Sequence, residues 1–243
     1  MGDNRIALTA TSANGELLAE IMDIKQIKSK FRKIIQLNPE GDYGYINDPL
    51  TESEVLEFEK KHNIKLPEDY RTFITNIFNG GFGPEQIMPL DFWDSYHNVI
   101  YSSMGNNLNE PFPLTSEWKV DFENIEKSDD YDEYDTYVTL INGTIRICHI
   151  GCGAFIFLVV NGTEYGNLWI DNRTNGQICP LYPNKRINFG KWYFGWLDSH
   201  IAHLKKQKAF LDKQKLEQEI RNKINDSKKK SNWLERLLAK LKY

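Results

Sequence analysis

Asp129, Asp130, Asp132, Glu133 and Asp135 crowd five carboxylates into seven residues, with Tyr131 and Tyr134 between them. Carboxylates at this density can hold a cation, or they can present a phosphate-like anionic surface to a basic protein. A calcium loop of the EF-hand type needs a central Gly and a terminal Glu at fixed spacing, and both are missing. Charge complementarity to a basic partner would speed association and fix its orientation. Tyr131 and Tyr134 would supply anchor area, since Tyr is favoured at binding hot spots. The competing reading is a solvated loop that only aids solubility.

Other chemistry-bearing types are sparse. Cys148, His149 and Cys152 lie close together, but a zinc site wants about four N or S ligands. Adjacent strand residues also point to opposite faces, which separates His149 from Cys148. With Cys179 the cysteines number three, too few and too odd a set for a disulfide framework. His62, His97, His149, His200 and His203 are scattered without a nucleophile partner, and no GxSxG or HExxH motif occurs. Gly80-Gly81-Phe82-Gly83 and Gly151-Cys152-Gly153 lack the Gly-Lys-Ser/Thr of a phosphate loop. They read as a helix stop and as a strand break or bulge. The expectation is a protein without catalytic residues, metal or cofactor.

Charge divides the chain. Beyond Ile201 there are 13 basic and five acidic residues, and before it 17 basic and 29 acidic. An acidic body attracts basic partners and repels nucleic acid, so direct nucleic-acid binding by the core is not expected. No apolar run approaches the length of a membrane span, and no secretory pattern opens the chain. The cytoplasm is the expected compartment.

These residues must be held by a recognisable series of elements. A helix is expected from an Asn14 cap to about Ile35, with Leu17, Ile21, Ile24, Ile27, Phe31 and Ile34 on one face. Pro39, Gly41, Gly44 and Pro49 mark an irregular linker. Thr51 and Glu54 have capping-box spacing and start a helix that ends near His62-Asn63. Pro67 suits the start of the next, whose apolar face is Tyr70, Phe73, Ile74 and Ile77. Phe82 to Glu126 resists assignment. Tyr137–Ile141, Asn142-Gly143 and Thr144–Ile150 read as a hairpin. Phe155–Val160 is an apolar run suited to a strand buried on both faces. Leu168-Trp169-Ile170 returns after Asn161-Gly162, and Asn175-Gly176 turns the chain towards Ile178–Leu181. Trp169 and Asp171 share one strand face, and Asp171 is expected to accept backbone hydrogen bonds in the following turn. Phe189 to Ile201, with Trp192, Tyr193, Phe194, Trp196 and Leu197, reads as a helix that packs its aromatics on the sheet. The basic tail is expected to fold back on the acidic body, with a break at Ser227–Ser231 and a fresh cap at Asn232.

Three segments in order resemble the SUKH superfamily, in its Smi/Knr branch. They are Leu50-Thr51 to Glu54 with Leu66-Pro67-Glu68-Asp69-Tyr70 and Asn79-Gly80-Gly81; Ile150-Gly151-Cys152-Gly153 with Leu158–Gly162 and Gly166–Asp171; and Phe189, Trp192 and Trp196-Leu197-Asp198. The resemblance implies an α+β fold, a twisted, mostly antiparallel sheet flanked by helices, here with extra N- and C-terminal helices. It divides the chain into an N-terminal extension and linker over 1–48, a SUKH-like domain over 49–201 and a basic tail over 202–243. Pro67, Gly80, Gly81, Gly151, Gly153, Trp169, Asp171, Trp192 and Trp196 are then its structural motif residues. The N-terminal helix, the acidic run and the tail lie outside its core pattern. It implies binding rather than catalysis. Bacterial members resemble immunity proteins that block a cognate toxin, often a nuclease, by contact; fungal members resemble regulators of cell-wall synthesis. For this chain the implied partner is a toxin protein; residues 129–135 are the candidate contact surface on their own charge and tyrosines, not on the resemblance. A regulatory scaffold and a small-ligand binder are the alternatives.

Overall fold

In the computed structural model, residues 22–90, 107–120 and 139–240 are described. Helix α1, Ile24–Leu37, is capped by Asp23, whose Oδ1 accepts from the Gln26 amide at 3.0 Å. Met22 and Asp23 are not helical, so the helix expected from Asn14 does not run through unbroken; Asn14 itself lies outside the described residues. The stronger signal is Asp23, an acceptor one residue before the apolar period resumes. After an irregular stretch, α2 (Glu52–His62) opens with the full Thr51/Glu54 capping box and closes on Asn63 in the left-handed region. Pro67 is the N-cap of α3 (Glu68–Asn76), where its fixed φ is −53°.

Gly80-Gly81 does not end α3, which stops at Asn76 with Ile77 still right-handed. The pair serves a close approach instead. Gly80 has φ +83°, and a Cβ there would sit 2.6 Å from the Pro89 backbone nitrogen. That crossing lets Gly81 exchange amide hydrogen bonds with Ile87 at 2.8 and 2.7 Å.

Among the described residues the sheet has five antiparallel strands in the order β1-β5-β4-β3-β2, with β1 Trp118–Lys119, β2 Thr144–Gly151, β3 Ala154–Val159, β4 Leu168–Asn172 and β5 Gln177–Pro180. All six residues of β3 are buried. The hairpin expected at Asn142-Gly143 is not formed among the described residues: Leu140–Gly143 is a turn, and the described partner of β2 is β3. The actual turn is Cys152-Gly153, with φ +51° and +77°, between the partners Gly151 and Ala154. Two left-handed residues match the twist of the flanking strands, which is why a two-residue hairpin favours them. Register shifts between Arg146 and Cys148, and between His149 and Gly151, place bulges in β2. The Gly-Cys-Gly segment thus turns the chain, and bulging happens just upstream.

The final helix, α4, runs Phe189–Lys240 without interruption. Ser227–Ser231 does not break it, and Asn232 caps nothing. Its first four turns belong to the core. Phe189, Trp192, Tyr193, Leu197, Ile201 and Leu204 are buried with Ile27, Ile34, Tyr70, Phe73, Ile74, Ile156 and Leu158 between the helices and one face of the sheet. Tyr193 is fully buried, stacks on Phe189 and donates to the Phe82 carbonyl at 2.6 Å. Trp192 and Tyr193 are buried as expected, while Trp196 is only part-buried and lies on this core's margin against Phe82 and His200. Every described side chain from Lys205 to Lys240 is exposed. At 1.5 Å per residue this is an arm about 54 Å long. The tail therefore does not fold back on the body. Once Leu204 is covered, its apolar residues no longer recur on the face that packs.

The other sheet face carries a smaller core of Phe112, Ile141, Phe157, Val159, Trp169 and Ile178.

The cysteines sit in three different environments. Cys148 is buried, Cys179 intermediate and Cys152 exposed at the hairpin tip. Burial, helped by the Glu85 charge, pushes the Cys148 thiol up to about 12. Burial raises Cys179 as well. A thiolate-selective reagent at mildly alkaline pH should modify Cys152 rapidly, Cys179 slowly, and Cys148 only after denaturant is added. Rapid labelling of Cys148 in the native protein would contradict the placement of β2.

Candidate partner-binding surface

A shallow groove of about 760 Å³ runs between the α2–α3 corner and the β3–β4 connection, lined in part by Glu59, Asp69, Arg71, Tyr165 and Arg186. Each of these five groups has a structural partner. Glu59 Oε1 accepts from the Leu66 amide at 2.9 Å and lies 3.6 Å from Arg71 Nε. Arg71 also pairs with Glu52. Asp69 Oδ2 accepts from the Gly190 amide at 2.8 Å, tying α3 to the first turn of α4. Burial pushes the Asp69 carboxyl up, against the lowering effect of the Gly190 and Tyr70 amides. The Tyr165 hydroxyl donates to the Lys65 carbonyl at 3.3 Å. Its phenol is pushed up to about 12, by burial first and then by Glu59, Asp69 and Glu68. Beneath the groove, Glu164 takes the Trp169 indole N–H at 3.3 Å and pairs with Arg186, which also donates to the Thr115 carbonyl at 2.7 Å.

A second polar cluster lies on the sheet face that carries Trp169. Asp171 is buried opposite Phe155 in the β3–β4 ladder. Its Oδ1 accepts from the Arg173 amide at 3.3 Å, as expected of an aspartate entering a turn. The Arg173 guanidinium adds a two-pronged contact at 2.7 and 2.8 Å, and an Arg146 nitrogen lies 3.8 Å away. Arg146 in turn covers the Phe155 ring at 4.3 Å.

The structure brings Trp169 and Asp171 together on one face. It separates them from Gly80-Gly81, from the Gly151–Gly153 turn and from Trp192 and Trp196, which serve other parts of the fold. The acidic run, Asp129, Asp130, Tyr131, Asp132, Glu133, Tyr134 and Asp135, lies outside the described residues. The residues flanking it are at opposite edges of the sheet. On one side Val120 follows β1 and donates to the Gly176 carbonyl at 2.8 Å; on the other, Thr139–Gly143 leads into β2. The groove residues Asp69, Glu164, Tyr165 and Arg186 were not foreseen. Nothing in their local spacing marks them, because they converge from three separate segments. Among the described residues, no group of three or more His, Cys, Asp or Glu is placed to hold a metal ion, and no helix is long and apolar enough to cross a membrane.

Helices over one face of an antiparallel sheet, with the groove's carboxylates bound to backbone amides and arginines, make this an α+β domain. Residues 49–184 match the SMI1 / KNR4 family (SUKH-1), and the chain belongs to that family. The matched region includes the acidic run. No curated protein matches the chain.

Proposed function

We propose that this protein is a non-enzymatic, cytoplasmic immunity protein that binds a cognate toxin, a nuclease, and occludes its active site. The observation that carries the proposal is that the acidic-aromatic run, residues 129–135, falls inside the region matched to the family. A nuclease holds phosphates in a basic cleft, and clustered carboxylates with tyrosine anchors suit such a cleft. The uneven charge supports the same partner: up to Ile201 acidic residues outnumber basic ones 29 to 17. Binding rather than turnover fits a groove whose Glu59, Asp69 and Glu164 are engaged in holding the fold.

Co-expression with the toxin encoded beside it tests the proposal. Growth should be rescued, and the purified proteins should form a complex. Absence of both sinks the reading. Charge reversal at Asp129, Asp130 and Asp132 should slow association about tenfold or more at low salt and flatten its salt dependence, with unfolding unchanged. Unaltered binding would return the run to the role of a solvated loop.

A further inference from the structure

The arm of α4 exposes apolar residues along its length, Leu216, Ile220 and Ile224 among them, and their densest cluster lies at the far end. Trp233, Leu234 and Leu238 are 61, 50 and 59% exposed. On a helix, Leu234, Leu237 and Leu238 share one side with Trp233 at its margin, while Lys229, Arg236 and Lys240 fall on the other. From Ser227 to Lys240 there are five basic residues and one acidic. Burying a Trp and three Leu is favourable, and the surrounding cations select a negatively charged partner. We propose that the end of α4 docks, lying flat, on an anionic lipid surface, with the leucines in the headgroup boundary and the lysines on the phosphates. This goes beyond the toxin-binding reading and does not depend on it.

Two other occupants fit less well. A second copy of the arm would need an apolar seam sustained over three or four heptads. Here Leu216, Ile220 and Ile224 share the side of Leu234, but Lys223, Ser227 and Lys230 interrupt it between them, so no seam of that length is sustained. Two arms so rich in lysine would also repel one another. A nucleic acid would engage the cations but has no use for three leucines and an indole on the opposite side. The charge complementarity is to an anion with an apolar interior beside it, which describes a bilayer of acidic phospholipid.

The test is flotation of the full chain with vesicles of phosphatidylcholine alone or mixed with phosphatidylserine. Binding is expected only to the mixed vesicles and should fall with salt. Neutralising Lys228, Lys229 and Lys230 to Gln should weaken it roughly 100-fold, at about fivefold per cation. Leu234→Ser with Leu238→Ser should abolish it, and circular dichroism should show the body folded, because all these positions are exposed. Failure to float with the mixed vesicles at low salt overturns the proposal. So does full binding by the double serine variant, which would indicate a purely ionic attachment of the kind a nucleic acid offers. Concentration-dependent dimerisation that this variant abolishes, without vesicle binding, would assign the face to a second copy instead.

Discussion

Replacing Asp171 with alanine should destabilise the domain by about 3–5 kcal/mol, the usual cost of removing one partner from a buried ionic cluster. The argument rests on position. Asp171 is 3% exposed and lies between Arg173, which grips it with two nitrogens, and Arg146. Without the carboxylate, two guanidiniums are left near one another inside the fold. Chemical denaturation measures the loss. Asp171→Asn keeps the shape and part of the hydrogen bonding, so it should lose less. Removing Arg173 in the Asp171→Ala background should recover part of the stability, because it removes one of the stranded charges. An Asp171→Ala variant within about 0.5 kcal/mol of the parent would show that the cluster is solvated after all.

Trp169→Ala should cost about as much, roughly 3–5 kcal/mol, but for a different reason. Trp169 is fully buried on β4, the strand paired on both sides, and packs edge-on to Phe112 with 4.9 Å between ring centres. Its loss leaves a cavity in the smaller of the two cores. It also removes the indole donor from Glu164 and the ring beneath Arg186, whose guanidinium lies 5.2 Å from its centre. Trp169→Phe retains most of the volume and should lose only about 1–2 kcal/mol. The difference between the two variants, read from denaturation midpoints at constant slope, separates packing from the hydrogen bond. Similar losses for both would mean that the Glu164 contact dominates.

What could be read from the residues depended on whether the determining interaction was local. The Thr51/Glu54 cap, the apolar run of β3, the turn before β5 and the pairing of Trp169 with Asp171 on one face each follow from neighbours within a few positions. Errors arose where distant chain decided. Asn142-Gly143 has the residue types of a hairpin, yet the Gly143 amide donates to the Asn107 carbonyl at 3.0 Å and so anchors another segment. Gly80-Gly81 resembles a helix stop, but its constraint comes from Pro89 and Tyr45. Trp196 seemed a core residue by size, while the helix register buries Trp192, Tyr193 and Leu197 and leaves Trp196 at the margin. The groove was invisible for the same reason: Glu59 and Asp69, Tyr165 and Arg186 come from separate parts of the chain and meet only once α2, α3 and the β3–β4 connection have packed.

The unbroken course of α4 has a mechanical consequence. The same helix that stacks Tyr193 on Phe189 inside the domain continues to Lys240 with neither proline nor glycine after Gly195. The arm is therefore a lever without a hinge, and its fulcrum is the aromatic packing of its own first turns. Torque applied at the tip reaches Phe73 and Ile74 directly, so whatever grips the far end also loads the interior of the domain.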